Sequence, residues 1–400
     1  KAVVATAEEQ ELAKVMHQGL GEKEEAVLHY LQQSEKTYEH IGKLFLQQSL
    51  HRLQQFNWRQ VAEALRHVRP ALLFSSLHQY NQSNFQSAEA VQLFNRYATY
   101  NGSNPYSAPA MLSLIPHLEM GVGTFYPKGG MISITNALHQ LAVKKGVQFH
   151  FNTGVDSIVH QQGKVTGVMV NNTLVTADVV VSNGDAYFTY LHLLKDAPRA
   201  KKILKQERSS SALIFYWGIG RQFEQLGLHN ILFTKQYQQE FTHLFTTKTF
   251  YEDPTVYINI TSKMEAGQAP EGKENWFVMI NAPANEGQPW QQWIPEARQR
   301  ILHKLSRQLG ADVEALIETE ALLDPATIES RTSSYSGSLY GTSSNSRMAA
   351  FLRHPNFSKR IKGLYFVGGS VHPGGGIPLC LQSAHITAGL IATDFKLSPI

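Results

Sequence analysis

Glycines are concentrated near the carboxyl end of the chain, between residues that predict a strand and residues that predict a helix. Leu364 to Val367 is a short apolar run with the length and side chains of a buried strand. Gly368-Gly369 ends this run at a point where the backbone can adopt φ > 0 and approach a ligand closely. His372-Pro373 and Gly374 to Gly376 then form a second tight passage. Pro378 then predicts the first turn of a helix. A strand, a glycine loop and a helix amino terminus together can hold an anion or a developing negative charge.

The glycines alone would also fit an ordinary Gly-rich connector between a strand and a helix. The order of the residues is more specific, because it resembles the C-terminal flavin motif of the phytoene desaturase family. In these FAD-dependent carotenoid desaturases a GxxHPGxGIP-like run follows a strand. The residues that carry the resemblance are Gly369, His372, Pro373, Gly374, Gly376, Ile377 and Pro378. The resemblance implies that FAD is the cofactor.

The predicted cofactor-binding residues follow from this resemblance. The N–H of Ile377 and the helix dipole could stabilise negative charge at N1 and C2=O of reduced flavin. In flavoproteins of the glutathione reductase and amine oxidase group, a valine like Val155 offers its backbone to the adenine. The full predicted set is Val155, Gly368, Gly369, His372, Gly376, Ile377 and Pro378.

A second stretch resembles the same family. Tyr126 to Met131 matches its Pro-x-Gly-Gly step into a helix, which we predict over Ile132 to Lys145. Gly129-Gly130 would let that helix begin against the sheet and the flavin region. An ordinary loop before a helix would also place two glycines here.

Composition excludes several classes of protein. The chain has 400 residues, of which 42% are hydrophobic and 17% charged, as expected of a folded globular protein. A net charge of +4 is too small to indicate nucleic-acid binding, but it suits an anionic lipid surface or a polyanionic cofactor. Cys380 is the only cysteine, which excludes an internal disulfide and favours the cytoplasm. Neither a signal peptide nor a spanning segment is evident, so we expect any membrane contact to be peripheral.

The amino-terminal residues depart from the family pattern. Lys1 to Val4 predicts a short strand, after which FAD proteins carry a GxGxxG loop that opens a helix. Here Val4 continues directly into Ala5 to Glu9, which begin a different helix. Either the protein lacks the loop, or a segment that contains it belongs between Val4 and Ala5. We expect the second; the first would put binding of the ADP half of FAD in doubt.

The remaining elements are predicted from periodicity. Helices are expected over Glu8 to Gln48, with a break near Gly19 to Gly21, and over Val91 to Asn101. Strands follow, with turns at Gln161 to Gly163 and at Asn171-Asn172. A large antiparallel sheet is expected next, and then a helix. The predicted strands are Val147 to Phe151, Val155 to Val159, Val165 to Val170, Asp178 to Val181, Ser209 to Ile219, Thr255 to Ile260 and Asn275 to Asn281, and the last helix of this group is Pro295 to Leu309.

These elements and the resemblance indicate an α/β fold. It combines an FAD-binding Rossmann-like domain, of the glutathione reductase or amine oxidase type, with a large inserted α+β substrate domain built on an antiparallel sheet. We assign the FAD-binding domain to residues 1–4, 124–190 and 345–400. The substrate-binding and membrane-associating domain takes residues 5–123 and 191–344.

The resemblance implies an FAD-dependent oxidoreductase that introduces C=C bonds into a polyene isoprenoid and passes electrons to a quinone or oxygen. Within the family, Tyr97 to Ser103 and Ser338 to Asn345 look most similar to desaturases that act at the 3,4-bond of hydroxylated carotenoids. Phytoene desaturase proper is an alternative. A non-catalytic isoprenoid-binding or membrane-associating protein is another, should the dinucleotide loop be missing. The pattern shows no metal-ligand cluster, and the histidines are scattered.

Desaturation removes a hydride and a neighbouring proton, so a base is expected near the flavin. Glu119 and His117 are the first candidates, because they lie shortly before the Gly129-Gly130 step. A surface or ion-paired role would also explain this pair.

Leu50 to Pro70 has a basic and aromatic amphipathic pattern. Its arginines, Arg52, Arg59, Arg66 and Arg69, alternate with apolar side chains that include Phe56 and Trp58. Such a stretch could lie at a membrane surface and admit a bilayer-borne carotenoid, with Leu72 to Phe74 reaching the acyl boundary. A solvated basic helix face would show the same pattern.

Overall fold

A computed structural model describes residues 2–52, 58–59, 62, 66, 69–346 and 353–397. The chain forms two compact units. The first contains Lys1–Thr124, Gly154–Ser209 and Ser333–Ile400, and the second contains Phe125–Thr153 and Ser210–Thr332. The functional division into an FAD domain and a substrate domain stays a prediction.

A helical layer opens the first unit. The helix Glu9–Leu20 ends at Gly21, whose φ of 80° places it in the left-handed region that glycine adopts without strain. The next helix, Glu24–Thr37, buries Val27, Tyr30 and Leu31 against the first. Shorter helices complete the layer: Lys43–Gln47, Pro70–Phe74, Leu77–Asn84 and Ala88–Asn95, with a 3₁₀ segment at Arg96–Asn101 that ends at Gly102. The break predicted near Gly19 to Gly21 and the helix end near Asn101 are therefore confirmed.

Two small sheets lie in the same unit. Strands β1 (Ser157–Gln161), β2 (Lys164–Val170) and β3 (Thr173–Thr176) form an antiparallel meander. Its turns use residues with positive φ, Gln162-Gly163 and Asn171-Asn172, at the positions where the sequence predicts turns. Strand β4 (Val180–Ser182) pairs in parallel with β10 (Leu364–Phe366), which leads into the last helix, Ile377–Phe395. The unit also contains the helices Ala186–Phe188 and Ala197–Leu204.

The second unit is built on an antiparallel sheet, as predicted. The five strands follow the order β6 (His229–Leu232), β7 (Val256–Asn259), β8 (Glu274–Ala282), β5 (Ser211–Ile219) and β9 (Ile317–Leu323). Alternate residues of β8 are buried, because one face of the sheet packs against the helix Trp290–Leu309. The helices Ile132–Lys144, Tyr237–Thr242 and Pro325–Thr332 belong to this unit.

Three predicted elements differ in the structure. Ala2 to Val4 does not form a strand, and Val4 is 85% exposed. Val147 to Phe151 forms no strand, because it pairs with no strand among the described residues, and Phe151 lies in a turn. The helix predicted to begin at Pro295 begins at Trp290, since Trp290 and Trp293 pack edge-on against Phe250 and hold the preceding turn.

Candidate functional site

The glycine loop after β10 adopts backbone conformations that only glycine tolerates well. Gly368 has a φ of 95°, and a Cβ at this position would lie 2.4 Å from Oδ1 of Asn183. Gly374 and Gly376 have φ values of 139° and 97°. A side chain at any of these positions would strain the backbone. The prediction that the glycines permit an unusual loop path is therefore confirmed for these three residues.

Other glycines are required because the loop packs closely on its own supports. A Cβ on Gly375 would lie 2.8 Å from Cα of Tyr340, and one on Gly341 would lie 2.7 Å from Cα of Ser370. A Cβ on Gly369 would lie 3.1 Å from Cα of Gly375. The loop therefore packs directly against the segment around Tyr340.

The amino terminus of the last helix forms the open edge of this loop. Gly376 is the N-cap residue, has no side chain to cap the helix, and has space for a Cβ with no atom within 4 Å. The N–H groups of Ile377 and Leu379 lie in the first turn, where helical N–H groups have no intrahelical acceptor. The side chains of Ile377 and Leu381 are 50% and 48% exposed. An apolar surface beside a positive helix end, with N–H groups that have no acceptor among the described residues, fits a planar ring with a polar edge that can become negative, and so fits a flavin.

His372 is buried inside the loop. Its Nε2 lies 2.9 Å from the carbonyl oxygen of Gln48, and its ring meets the edge of His51 with centroids 6.1 Å apart. Burial lowers the pKa of His372 to about 4, so the ring is neutral at physiological pH. These contacts tie the loop to the helical layer; a direct contact between His372 and the cofactor stays a prediction.

Sequence reasoning missed two residues that hold the loop. The amide of Asn356 is fully buried and donates to the carbonyl of His372 at 2.8 Å and to Oγ of Ser383 at 3.0 Å. Ser383 in turn accepts a hydrogen bond from the N–H of Gly368 at 3.2 Å. The signal that could have found them is polar residues at positions otherwise expected to be buried: Asn356 before β10 and Ser383 on the inner face of the last helix.

Val155 lies just before β1 with its side chain 41% exposed. Within the described part of the chain, its backbone N–H and C=O have no hydrogen-bonding partner. Both groups are therefore available to a ligand, as the predicted adenine contact requires, and that contact stays a prediction.

The Pro-x-Gly-Gly turn belongs to the second unit. Gly129 and Gly130 have φ values of 84° and 77°, and the helix Ile132–Lys144 follows. The N–H of Gly129 donates to both carboxylate oxygens of Glu265, at 2.9 and 3.1 Å, and the hydroxyl of Tyr126 donates to the same carboxylate at 3.1 Å. The N–H of Gly129 is thus occupied by the carboxylate of Glu265.

Glu119 lies in a partly buried ionic cluster. Nη2 of Arg96 is 2.6 Å from Oε1 of Glu119, and the hydroxyls of Tyr97 and Tyr100 donate to the carboxylate at 3.1 and 2.5 Å. Burial opposes ionisation, but the Arg96 charge and the three sets of donors outweigh it and hold the pKa of Glu119 below its ordinary value. A carboxylate held in this way is a fixed negative charge and a weak proton acceptor.

His117 lies two residues earlier, and its ring packs 5.3 Å from that of Tyr38. Its Nδ1 is buried and has no hydrogen-bonding partner among the described residues. In the part of the chain that the structure describes, no hydrogen bond or ion pair joins His117 or Glu119 to the glycine loop. That His117 and Glu119 lie near the cofactor therefore stays a prediction.

Two features are absent from the described residues. No group of three or more His, Cys, Asp or Glu side chains is arranged to hold a metal ion. No described helix is both long enough and apolar enough to cross a membrane.

The chain is similar to known flavoproteins. The family described as flavin containing amine oxidoreductase matches residues 25–392. The 1-hydroxycarotenoid 3,4-desaturase of Flavobacterium sp. (strain P99-3) is 53% identical over 370 residues, which are 92% of this chain and 76% of that protein. The phytoene desaturase of Fusarium fujikuroi is 28% identical over 92% of this chain and 69% of its own length.

Solved structures agree on the fold. An oxidoreductase from Methanosarcina mazei is 17% identical, with a TM-score of 0.56 over 85% of this chain and 74% of that one. Putrescine oxidase bound to putrescine is 12% identical, with a TM-score of 0.53 over 92% of this chain and 75% of that one. Together with the family match, these likenesses confirm the predicted fold class.

Proposed function

The chain belongs to the flavin-containing amine oxidoreductase family, and from that membership we propose that it is an FAD-dependent carotenoid desaturase. The substrate is a hydroxylated carotenoid, and the bond that becomes unsaturated is the 3,4-bond, as the name of the 53%-identical relative says of that relative. Electrons leave to a quinone or oxygen. Nucleic acid has no part in this function.

One observation carries the proposal: the open helix amino terminus at the end of the glycine loop. When bound, FAD supplies the hydride acceptor. At Gly376, where no atom lies within 4 Å of the Cβ position, the missing side chain would give the isoalloxazine close access to the backbone. The N–H groups of Ile377 and Leu379, with the positive end of a 19-residue helix, would stabilise the negative charge that reduction adds to bound FAD.

A proton must also leave the substrate, and the predicted acceptors are Glu119 and His117. His117 is supported by its buried Nδ1, which has no hydrogen-bonding partner among the described residues and accepts a proton in the tautomer that carries its hydrogen on Nε2. Glu119 is supported by its ionised state, although its bonds to Arg96, Tyr97 and Tyr100 make it a weak base. We therefore rank His117 ahead of Glu119 as the proton acceptor.

A carotenoid resides in the bilayer, so the enzyme has to draw it from a membrane surface. We propose a cytoplasmic, peripheral membrane protein that uses the stretch from Leu50 to Phe74. Residues 53–57, 60–61, 63–65 and 67–68 of this stretch, with Phe56 among them, lie outside the described residues. Among those described, Trp58 and Phe74 are 61% and 63% exposed, which supports the proposal.

Two members of that stretch do not serve the predicted role. Arg52 forms a two-pronged ion pair with Asp394, at 2.6 Å for each oxygen, and lies 4.5 Å above the ring of Phe357. Leu72 is 1% exposed and belongs to the helical core. The alternation of arginines and apolar residues cannot distinguish these packed positions from surface ones, which explains why the sequence prediction was wrong for them.

The function is tested with FAD-loaded protein and vesicles that contain either a 1-hydroxylated carotenoid or phytoene. We expect the hydroxylated carotenoid to yield a product with a longer conjugated chain and a red-shifted spectrum, separated by chromatography, and phytoene to remain. Conversion of phytoene instead would identify a phytoene desaturase proper. Failure to convert either polyene, with FAD retained, would contradict the proposal and favour a non-catalytic isoprenoid-binding protein.

A further inference from the structure

Arg353 is a buried arginine beside the glycine loop. The residue is 2% exposed. Nη1 donates to the carbonyl oxygen of Tyr340 at 2.9 Å, and Nη2 lies 3.4 Å from Oγ of Ser344. Both acceptors are neutral, so the guanidinium is held in place by hydrogen bonds that do not compensate its charge.

No carboxylate offsets this charge within the described part of the chain, where no Asp or Glu oxygen lies within 4.0 Å of the Arg353 guanidinium. The charge that does influence it is that of Arg208, another cation, which pairs with Asp185. Burial, and then Arg208, lowers the pKa of Arg353 to about 10, so the group is still a cation at neutral pH. An uncompensated buried charge is costly, and proteins retain one chiefly where a ligand or reaction supplies the opposite charge.

The guanidinium lies directly against the loop. A Cβ on Gly374 would be 3.2 Å from both Cζ and Nε of Arg353, so the glycine is what lets the two approach. Gly374 is two residues before the N-cap of the last helix, whose amino terminus is itself positive. Two positive groups therefore converge on one short turn, and each would be stabilised by a negative charge on the ligand side of that turn.

We propose that Arg353 is a positioning residue of the flavin site, a fixed positive charge behind the Gly374–Gly376 turn that favours reduced over oxidised FAD. Reduction adds negative charge to the isoalloxazine, and a cation held in a low-dielectric interior stabilises that charge more than it would in water. The inference rests on FAD as the cofactor but not on the carotenoid, so failure of the carotenoid assay would leave it standing.

If Arg353 served only to stabilise the folded loop, a neutral hydrogen-bond donor would be enough and a buried positive charge would not be needed. The carbonyl of Tyr340 requires one donor, which a neutral amide could supply without burying a charge. Arg353→Gln therefore keeps a donor and removes the charge, Arg353→Met removes both, and Arg353→Lys keeps the charge. Lys304→Met is the matched control, because Lys304 is also a buried cation, 5% exposed, but pairs with Asp253 in the other unit.

The experiment measures the midpoint potential of bound FAD by dye-coupled titration, and the dissociation constant of oxidised FAD, without any carotenoid. For Arg353→Gln and Arg353→Met we expect the preference for reduced over oxidised FAD to fall at least tenfold, which is a midpoint potential lowered by about 30 mV for a two-electron couple. Arg353→Lys should change this preference less than threefold, and Lys304→Met should not change it.

One result would overturn the proposal: an unchanged midpoint potential in Arg353→Gln, whatever happens to its stability. If its affinity for oxidised FAD falls while the potential is unchanged, the affinity for reduced FAD has fallen equally, which would assign Arg353 to folding of the loop or to the pyrophosphate. If Arg353→Met yields no holoprotein, Arg353→Gln, which retains a neutral donor at this position, decides the outcome.

Discussion

At the scale of single residues, the glycines of the 368–376 loop are required for different physical reasons. Gly369 is confined by the backbone of Gly375, whereas Gly376 has open space but a φ of 97°. The first needs its small size and the second needs its conformational freedom. A substitution at either position should therefore disrupt the loop for a different physical reason.

We expect Gly369→Leu and Gly376→Leu each to lose bound FAD, because the first displaces the loop and the second strains its turn by about 1–3 kcal/mol. Flavin content per mole of purified protein, from absorption after denaturation, measures this. Gly389→Leu is the matched control in the same helix, since a Cβ there meets no atom within 4 Å and its φ is not positive. Full flavin occupancy in both loop variants would exclude the loop as the flavin site.

The ionic cluster around Glu119 permits a prediction on stability. Glu119→Gln leaves Arg96 buried without its counter-charge, so we expect a loss of about 3 kcal/mol in the free energy of unfolding at pH 7. The folded-state pKa of Glu119 is lowered, so the stabilisation is present above the unfolded pKa, roughly 4.3, and is lost as the pH falls through the folded value. Urea unfolding of the two proteins should converge in acid. A difference that grows as the pH falls would contradict the ion pair.

At the scale of elements, a helix of the second unit holds a buried acid next to the sheet. Glu240, on the helix Tyr237–Thr242, accepts hydrogen bonds from the N–H and hydroxyl of Thr255, immediately before β7, at 3.0 and 2.6 Å. Burial raises the pKa of Glu240 to about 7. The folded protein therefore binds a proton here that the unfolded chain releases between about pH 4.3 and 7.

This acid should make the protein less stable as the pH rises from 5 to 8, by about 3 kcal/mol. Glu240→Gln mimics the protonated form, so we expect it to remove that loss and to unfold at a higher temperature than the wild type at pH 8. Calorimetry at pH 5 and pH 8 compares the two proteins. Parallel pH profiles would show that Glu240 is ionised throughout.

Sequence predicts those elements whose signals are local. Pro378 after the glycines predicts the start of the last helix, and Asn171-Asn172 predicts a hairpin turn; both are confirmed. The ion pair between Arg96 and Glu119 and the contact of Arg353 with Gly374 join residues distant in sequence, so only the fold reveals them. Val147 to Phe151 has strand-like residues but no partner strand among the described ones, and local pattern cannot supply a partner.

At the scale of the whole molecule, the proposed membrane surface uses fewer arginines than the pattern predicts. Arg52 is left out because its partner is Asp394, while Arg59 and Arg66 are exposed. We expect Arg59→Glu with Arg66→Glu to weaken co-sedimentation with anionic vesicles, since each cation near such a surface contributes about 1 kcal/mol at low salt. Flavin content should stay unchanged.

The control for this double variant is Arg300→Glu, which changes a partly exposed arginine on the Trp290–Leu309 helix. It changes the net charge in the same direction at a surface with no assigned membrane role. If the double variant binds vesicles as well as this control does, the basic stretch is a solvated helix face.

The central claim is that bound FAD takes its electrons from a carotenoid, and anaerobic single turnover tests it most directly. Holoprotein is mixed with a 1-hydroxylated carotenoid in vesicles, without an electron acceptor, and the flavin and polyene spectra are followed together. The account predicts that flavin absorption bleaches while the carotenoid spectrum shifts to the red, with one new double bond for each flavin reduced. A red-shifted product without flavin bleaching, or flavin that stays oxidised beside unchanged carotenoid, would contradict it.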